Sequence, residues 1–451
     1  METPIWDFVS GYGQRGPARF HMPGHKGRRV LGPEGRDITE IAGADELYRS
    51  RGIIRRSEEH AARLFGTART LYSAEGSSLS IRAMLLLALW RAEELGLPRR
   101  ILAGRNAHRA LMSAAALLDL EVDWLFPRPG EGLLSCTVDP EAVADRLRES
   151  GYMAVYLTSP DYLGAMAPIG RVAEVCRRAG VPLLVDNAHG AYLRFLRPDS
   201  HPITLGADLC CDSAHKTLPC LTGAGYLHIA SDALWNWEAR AEEAMAVFGS
   251  TSPSYLILQS LDLANRALAG DYPSRAAETV SRLRALKEKL ESRGWRLAGQ
   301  EPMKLTLKAR SLNWTGGLLA EELRRRGVEC EFADPDFLTL MPSPDTSEEE
   351  WNRLERVLGE LPEGGTPGGA PPDPGLPRRA VSIREALLSP AERIPLEEAE
   401  NRILADPEVS CPPAVPVRVP GERMDSEAIT CFRYYGKETC LVLRKKIKKH
   451  P

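Results

Sequence analysis

Residues 151–190 read GYMAVYLTSPDYLGAMAPIGRVAEVCRRAGVPLLVDNAHG. Met153–Leu157 (MAVYL) is an apolar run of strand length. Ile169–Arg178 repeats apolar residues at helical spacing, and Pro182–Val185 (PLLV) is a second apolar run, closed by Asp186. Strand, helix, strand in that order is a βαβ unit, which requires parallel pairing. The alternation continues outward. Arg69–Ser73 (RTLYS), Arg100–Ala103 (RILA) and Gly225–Ile229 (GYLHI) have strand character, and Leu79–Leu95 is a long helix candidate. An α/β domain with a mainly parallel sheet is therefore expected over roughly residues 60 to 230. Ligands bind such sheets beyond the carboxyl ends of the strands, so the residues just after each strand are the candidates for chemistry.

The 451 residues exceed one domain at ~100–200 residues each. Five segments are expected: an N-terminal arm (1–55), the large α/β domain (56–270), a smaller α+β domain (271–361), a linker (362–378) and a C-terminal domain (379–451). The α+β region opens on the helical SRLRALKEKLESRG and continues through the strand-like MKLTLKA and FLTLMP. The linker PEGGTPGGAPPDPGLP is too rich in Pro and Gly to pack a core. The chain ends in LRKKIKKHP, a short basic tail that is either solvated or meets an anionic partner.

Composition excludes several classes. With 58 Lys+Arg against 61 Asp+Glu, the net charge of −3 does not suit a general nucleic-acid binder. The apolar stretch around Leu85–Trp90 is well short of the ~18–20 residues that span a bilayer. The start METPIWD has no basic, apolar signal pattern, so a cytoplasmic location is expected. None of the nine cysteines forms a CxxC pair, so reduced thiols and no metal site are expected.

Four segments fall at strand ends. Ala74-Glu-Gly-Ser-Ser-Leu-Ser80 follows a strand and opens a helix. Gly76 allows close backbone approach, and Ser77 and Ser78 add hydroxyls to the free N–H groups of a helix start, as a phosphate site needs; a plain helix cap reads the same. In Leu184-Val-Asp-Asn-Ala-His-Gly190, Asp186 closes a strand, where it either receives a cationic partner or caps a turn. In Cys211-Asp-Ser-Ala-His-Lys-Thr-Leu-Pro219, Lys216 lies among small and apolar residues, as a Schiff-base lysine does, although a surface lysine is the ordinary alternative. In Arg105-Asn-Ala-His108, the imidazole either stacks on a planar ring or completes a turn. Singly these are weak. A phosphate loop, a strand-end Asp and then a Lys on one α/β sheet are together what pyridoxal phosphate requires.

Beside these segments, Phe20-His-Met-Pro-Gly-His-Lys-Gly27, Thr158-Ser-Pro-Asp-Tyr-Leu-Gly164, DNAHGA, SAHKTLP and Cys411-Pro-Pro-Ala-Val-Pro-Val-Arg-Val-Pro-Gly-Glu422 resemble the bacterial ornithine/lysine/arginine decarboxylases. The resemblance runs from about residue 4 to 430 and is to the short form, which lacks an N-terminal wing. It implies the type I PLP-dependent transferase fold: a mainly parallel seven-stranded sheet with helices on both faces, a small α+β domain and a C-terminal domain. Lys216 would form the Schiff base, Asp186 would face the pyridine nitrogen, His108 would stack on the ring and Ala188 would lie on the opposite face. Gly76, Ser77, Ser78 and Ser213 would hold the phosphate, with His215 beside it. His25, Lys26 and Glu422 would lie near the entrance, contributed across a homodimer or higher homo-oligomer with the site at its interface. Departures from the family pattern are Asp161 in place of Thr, Asn187 in place of Glu, Tyr192 in place of His, and PPAVP in place of PPGIP.

The function so implied is α-decarboxylation of arginine, lysine or ornithine to its amine, serving polyamine metabolism or acid resistance. His215, His189 or Lys216 would reprotonate Cα. A distal cation needs an acidic partner, for which Asp37, Glu40, Asp45, Glu46 and Asp161 are candidates. Transamination or β-elimination on the same cofactor, and PLP binding without turnover, are the alternatives.

Overall fold

The computed structural model describes residues 1–128, 131–149, 151–365, 370–407 and 415–445. The expected linker, the PPAVP motif and the basic tail each fall partly outside the described residues.

The large domain is built on seven strands: β1 (Arg69–Ser73), β2 (Arg100–Gly104), β3 (Glu121–Leu125), β4 (Ala154–Thr158), β5 (Leu183–Asp186), β6 (Leu209–Asp212) and β7 (Gly225–Ile229). Their spatial order is β1-β7-β6-β5-β4-β2-β3. β7 runs against both of its neighbours, and the other six share one direction. The strands expected from sequence are present within a residue or so. β3 and β6 were not expected.

Period-two alternation sorts the central strands between two cores. Tyr156 and Leu184 pack on one face with Leu79, Met84 and Leu111, from the helices Gly76–Leu95 and Arg109–Leu118. Val155, Leu157 and Val185 pack on the other with Val143, Val172 and Cys176, from Pro140–Glu149 and Ile169–Ala179. Gly76–Leu95 buries residues nearly all round because it lies between the sheet and the helix Ala241–Phe248. Its sequence accordingly carries no polar stripe.

The smaller domain has an antiparallel sheet of order β10-β11-β9-β8, from β8 (Arg296–Ala298), β9 (Leu305–Lys308), β10 (Phe332–Ala333) and β11 (Phe337–Leu340). Leu283, Leu323 and Trp351 cover it from the helices Tyr272–Glu291, Gly316–Arg325 and Glu348–Glu360. The C-terminal domain pairs β12 (Ala391–Pro395) with β13 (Thr439–Leu443) and packs the helix Ser426–Tyr434 against them.

The register matters for the site. Thr158 lies beside Asp186 and Asp186 beside Cys211, so β4, β5 and β6 end together at one edge. The motif loops that follow β1, β2, β4, β5 and β6 all leave from that edge.

Candidate active site

The loop after β1 is tied down from both sides. Gly76 adopts φ +67, its N–H donates to the Gly223 carbonyl (2.7 Å), and the Ser73 hydroxyl donates to the Gly76 carbonyl (2.8 Å). A side chain at Gly225 would bring its Cβ within 2.9 Å of the Gly76 carbonyl carbon, so the neighbouring strand must carry glycine there. What this loop delivers is the start of the 20-residue helix Gly76–Leu95, whose first N–H groups have no partner inside the helix and carry its positive pole. Ser77 is buried and Ser78 half-buried at that start. From the end of β6, His215 reaches the same place. A Cβ on Gly76 would lie 4.0 Å from the imidazole Cε1. The ring is oriented by Nδ1–H donating to the Ala224 carbonyl (3.0 Å), with the Ser213 hydroxyl at 3.4 Å. Backbone N–H groups, three serines and an imidazole form a donor set suited to a phosphate dianion.

Asp186 ends β5 fully buried. Its partners are neutral: Tyr156 Oη donates to Oδ2 (3.2 Å), the Ala188 N–H to Oδ1 (3.1 Å), and the Cys211 thiol lies 3.6 Å from Oδ1. Burial beside Asp186 pushes the Tyr156 phenol and the Cys211 thiol well above their ordinary ranges, which keeps both as donors. A buried carboxylate with neutral donors is set up to receive one more, cationic, partner.

Behind it, Asn187 has a physical reason to be neutral. Its Nδ2 donates to Asp212 Oδ1 (2.6 Å), while His201 Nε2 and His228 Nε2 both lie 3.1 Å from Asp212 Oδ2. A glutamate at 187 would oppose a second buried carboxylate. His201, Cys210 and Asp212 lie close enough to ligate a metal, but Asp212 is already engaged by these donors.

Lys216 sits on the short helical turn Ala214–Thr217, with Nζ 3.0 Å from His189 Nε2. His108 caps the helix Arg109–Leu118 by accepting the Ala110 N–H at Nδ1 (3.2 Å), and burial of its imidazole is the main cause that lowers it from its ordinary range. Ala188 is buried. Lys216, Asp186, Ala188, His108, His189, His215, Gly76, Ser77, Ser78 and Ser213 thus all stand at the one sheet edge.

The expected substrate contacts are placed differently. Asp161 is buried and accepts the N–H groups of Leu163 (3.0 Å) and Ala165 (2.8 Å), a turn-capping arrangement. Asp45 is likewise used, taking N–H groups of Arg51, Gly52 and Ile54 at the start of the helix Ile53–Phe65. His25 pairs with Asp37 (3.2 Å), and Lys26 donates to the His21 carbonyl (2.6 Å), all within the N-terminal segment. Glu422 is buried rather than open at an entrance. It holds Arg105 by two parallel bonds of 2.8 Å, tying the C-terminal domain to the loop that carries His108. Glu422→Ala strands a buried guanidinium and is expected to lower the unfolding free energy by about 3–5 kcal/mol, read from the urea midpoint. A loss below about 1 kcal/mol would mean that water reaches Arg105.

Nothing in the sequence pattern singles out Lys304, Glu301 or Glu331, and Tyr162 stands in it only as part of the Thr158–Gly164 motif. Lys304 precedes β9, is 2% exposed, and brings its ammonium 3.2 Å from His189 Nδ1. The Tyr162 ring meets His189 edge-on at 5.1 Å, and its hydroxyl donates to Glu331 (2.9 Å) on the open side. Tyr192, in place of the family's histidine, donates to buried Glu301 and accepts the Met303 N–H (3.0 Å), which fastens the small domain to the large one. The spacing of Lys304 within a strand pattern gave no sign of this.

Residues 3–342 match the family model for the Orn/Lys/Arg decarboxylase major domain, and residues 377–440 match that for the Orn/Lys/Arg decarboxylase C-terminal domain. Arginine decarboxylase of Bacillus subtilis (strain 168) is 28% identical over 463 residues, 95% of this chain and 92% of that protein. Among solved structures, the constitutive lysine decarboxylase of E. coli superposes with a TM-score of 0.76 at 18% identity, over 98% of this chain and 80% of that one. Lysine decarboxylase A from Pseudomonas aeruginosa superposes with the same TM-score of 0.76 at 19% identity, over 98% and 80%.

Proposed function

As this chain belongs to the Orn/Lys/Arg decarboxylase family, we propose that it removes the α-carboxyl group of arginine as carbon dioxide, leaving agmatine, with pyridoxal phosphate as cofactor. The observation that carries this is the convergence of Lys216, Asp186 and His108 beside the helix start at Gly76, on one edge of one sheet. Within the family, arginine is chosen over lysine because relatives matched over more than nine-tenths of their length bear the name arginine decarboxylase.

The residues present fit the cofactor. Gly76, Ser77, Ser78, Ser213 and His215 would hold its phosphate, and Asp186 would face its pyridine nitrogen. His108 and the small Ala188 would flank the ring, and Lys216 would supply the attaching amine. When bound, pyridoxal phosphate supplies an electron sink for the pair freed as carbon dioxide leaves. Asp186 contributes a fixed negative charge at a buried position, where one directed charge counts for far more than in solvent. Lys216, whose amine the substrate's amine would displace, would then stand ready to move a proton. Glu331, bonded to Tyr162, offers the guanidinium a carboxylate on the open side of the site.

Phe20, Met22, Val30 and Leu31 are exposed on the N-terminal segment of the single chain. Cover by a second copy fits the homodimer expected for this family. Among the described residues no helix is long and apolar enough to cross a membrane, and a cytoplasmic role at the start of polyamine formation completes the reading.

Mass spectrometry of products from the PLP-loaded protein, given arginine, lysine and ornithine together, tests it. Agmatine as the dominant amine is the expected result. Cadaverine or putrescine instead would move the substrate assignment, and a keto acid would overturn decarboxylation.

A further inference from the structure

Lys304 is a lysine buried to the ammonium. Its Nζ lies 3.2 Å from three acceptor atoms: the carbonyl oxygens of Asp161 and Tyr162, and His189 Nδ1. An ammonium has three N–H donors and no lone pair, so three acceptors account for all of it. The other ring nitrogen of His189, Nε2, faces the Lys216 amine at 3.0 Å. The imidazole, itself 4% exposed, therefore bridges two lysines.

We propose that Lys304 is a positioning residue: by donating to Nδ1 it fixes His189 as the neutral Nε2–H tautomer, so that His189 presents a permanent hydrogen-bond donor to the place where Lys216 reacts. The proposal rests on the decarboxylase reading only for what that donor serves. An imidazolium would need a proton on Nδ1, directed into the Lys304 ammonium. A histidine so held has no second proton to give, which leaves Lys216 to return the proton to Cα.

The surroundings agree. His189 is faced by Lys216, Lys304, His108 and His215, and by the edge-on ring of Tyr162. Burial, with the Lys304 ammonium at Nδ1, drives the imidazole well below its ordinary range, and an Nε2–H at 3.0 Å requires Lys216 to face it as the neutral amine. Lys304 is faced by Glu301, Asp161 and Glu331 as well as by Lys216. Burial lowers its ammonium, and the three carboxylates oppose that. Its stem passes beside Gly164, where an added Cβ would come within 3.4 Å of Lys304 Cδ.

Long-range proton–nitrogen NMR of ¹⁵N-histidine-labelled protein, freed of cofactor, reads the tautomer directly, and loss of signals in His189→Gln assigns the ring. The expected wild-type result is an Nε2-protonated, neutral imidazole that does not titrate between about pH 5.5 and 9. In Lys304→Met the same ring is expected to gain Nδ1–H population or to titrate within that range, and Lys304→Arg is expected to restore the wild-type pattern. A wild-type His189 protonated on Nδ1, or on both nitrogens near neutral pH, overturns the proposal even if no Lys304 variant folds. Unchanged His189 signals in a folded Lys304→Met protein overturn it as well. The readout uses neither substrate nor cofactor, so its failure is distinct from failure of the decarboxylase reading, which product analysis decides.

Discussion

Lys216→Ala is expected to lower kcat for amine formation by on the order of 10⁴-fold or more, because it removes the proposed attachment amine and proton carrier together. The protein is expected to fold normally. Lys216 is half-buried on a four-residue turn, and truncating it leaves Asp212, Asn187 and the His201–His228 network beneath it untouched. Cofactor should still enter, since the donors proposed for its phosphate, the helix start at Gly76 with Ser213 and His215, are intact. The visible absorbance band of covalently attached cofactor should disappear while the phosphate remains retained. The variant also discriminates between two lysines. Lys304 lies on the far side of the His189 ring from Lys216. A band that survives in Lys216→Ala, with measurable activity, would move the attachment point there and overturn the assignment of roles.

Why Lys216 was legible in the sequence and Lys304 was not has a physical basis. Lys216 follows β6 at a strand end, where small residues, a strand-closing Asp and the turn SAHKT mark the chain's exit from the sheet. Strand ends of this kind are local events, and the loops after β1, β2, β5 and β6 could all be located from neighbouring residues. Lys304 stands next to an ordinary strand and reads as its polar alternate. Its burial comes from residues 161–162 and 189, more than a hundred positions away. Glu422 was likewise visible as a motif residue, but its partner Arg105 lies 317 positions away. For Asp161 the sequence allows either binding a cation or capping a turn. The two N–H groups it accepts are only two and four residues on, a contact that sequence permits but does not require. The strands β3 (EVDWL) and β6 (LCCD) are hard to read because acidic residues interrupt the first, an edge strand that buries only Val122 and Leu125, and adjacent cysteines disguise the second, which is buried throughout.

The second large effect is expected at Asp186, and it separates charge from shape. Asp186→Asn keeps the volume and can keep the local bonds. The amide oxygen can accept the Ala188 N–H, while the amide nitrogen turns toward Tyr156, whose hydroxyl can rotate to accept. What is lost is the fixed negative charge, and the group that would face the pyridine nitrogen becomes a donor where an acceptor is required. Loss of one directed electrostatic partner costs about 10²–10³-fold in kcat, and a reversal of hydrogen-bond polarity adds to that. Cofactor retention should change far less, because the phosphate donors and Lys216 are intact, and the thermal midpoint should move only a few degrees. Asp186→Ala is the comparison that gives the result its meaning. It removes the charge and also leaves the Tyr156 hydroxyl and the Ala188 N–H without their acceptor, so it should lose stability as well as rate. If Asp186→Asn instead retains more than about a tenth of wild-type kcat, transition-state stabilisation by a fixed charge at that edge is excluded on the scale such charges act, and the neutral donors around Asp186 would need another explanation.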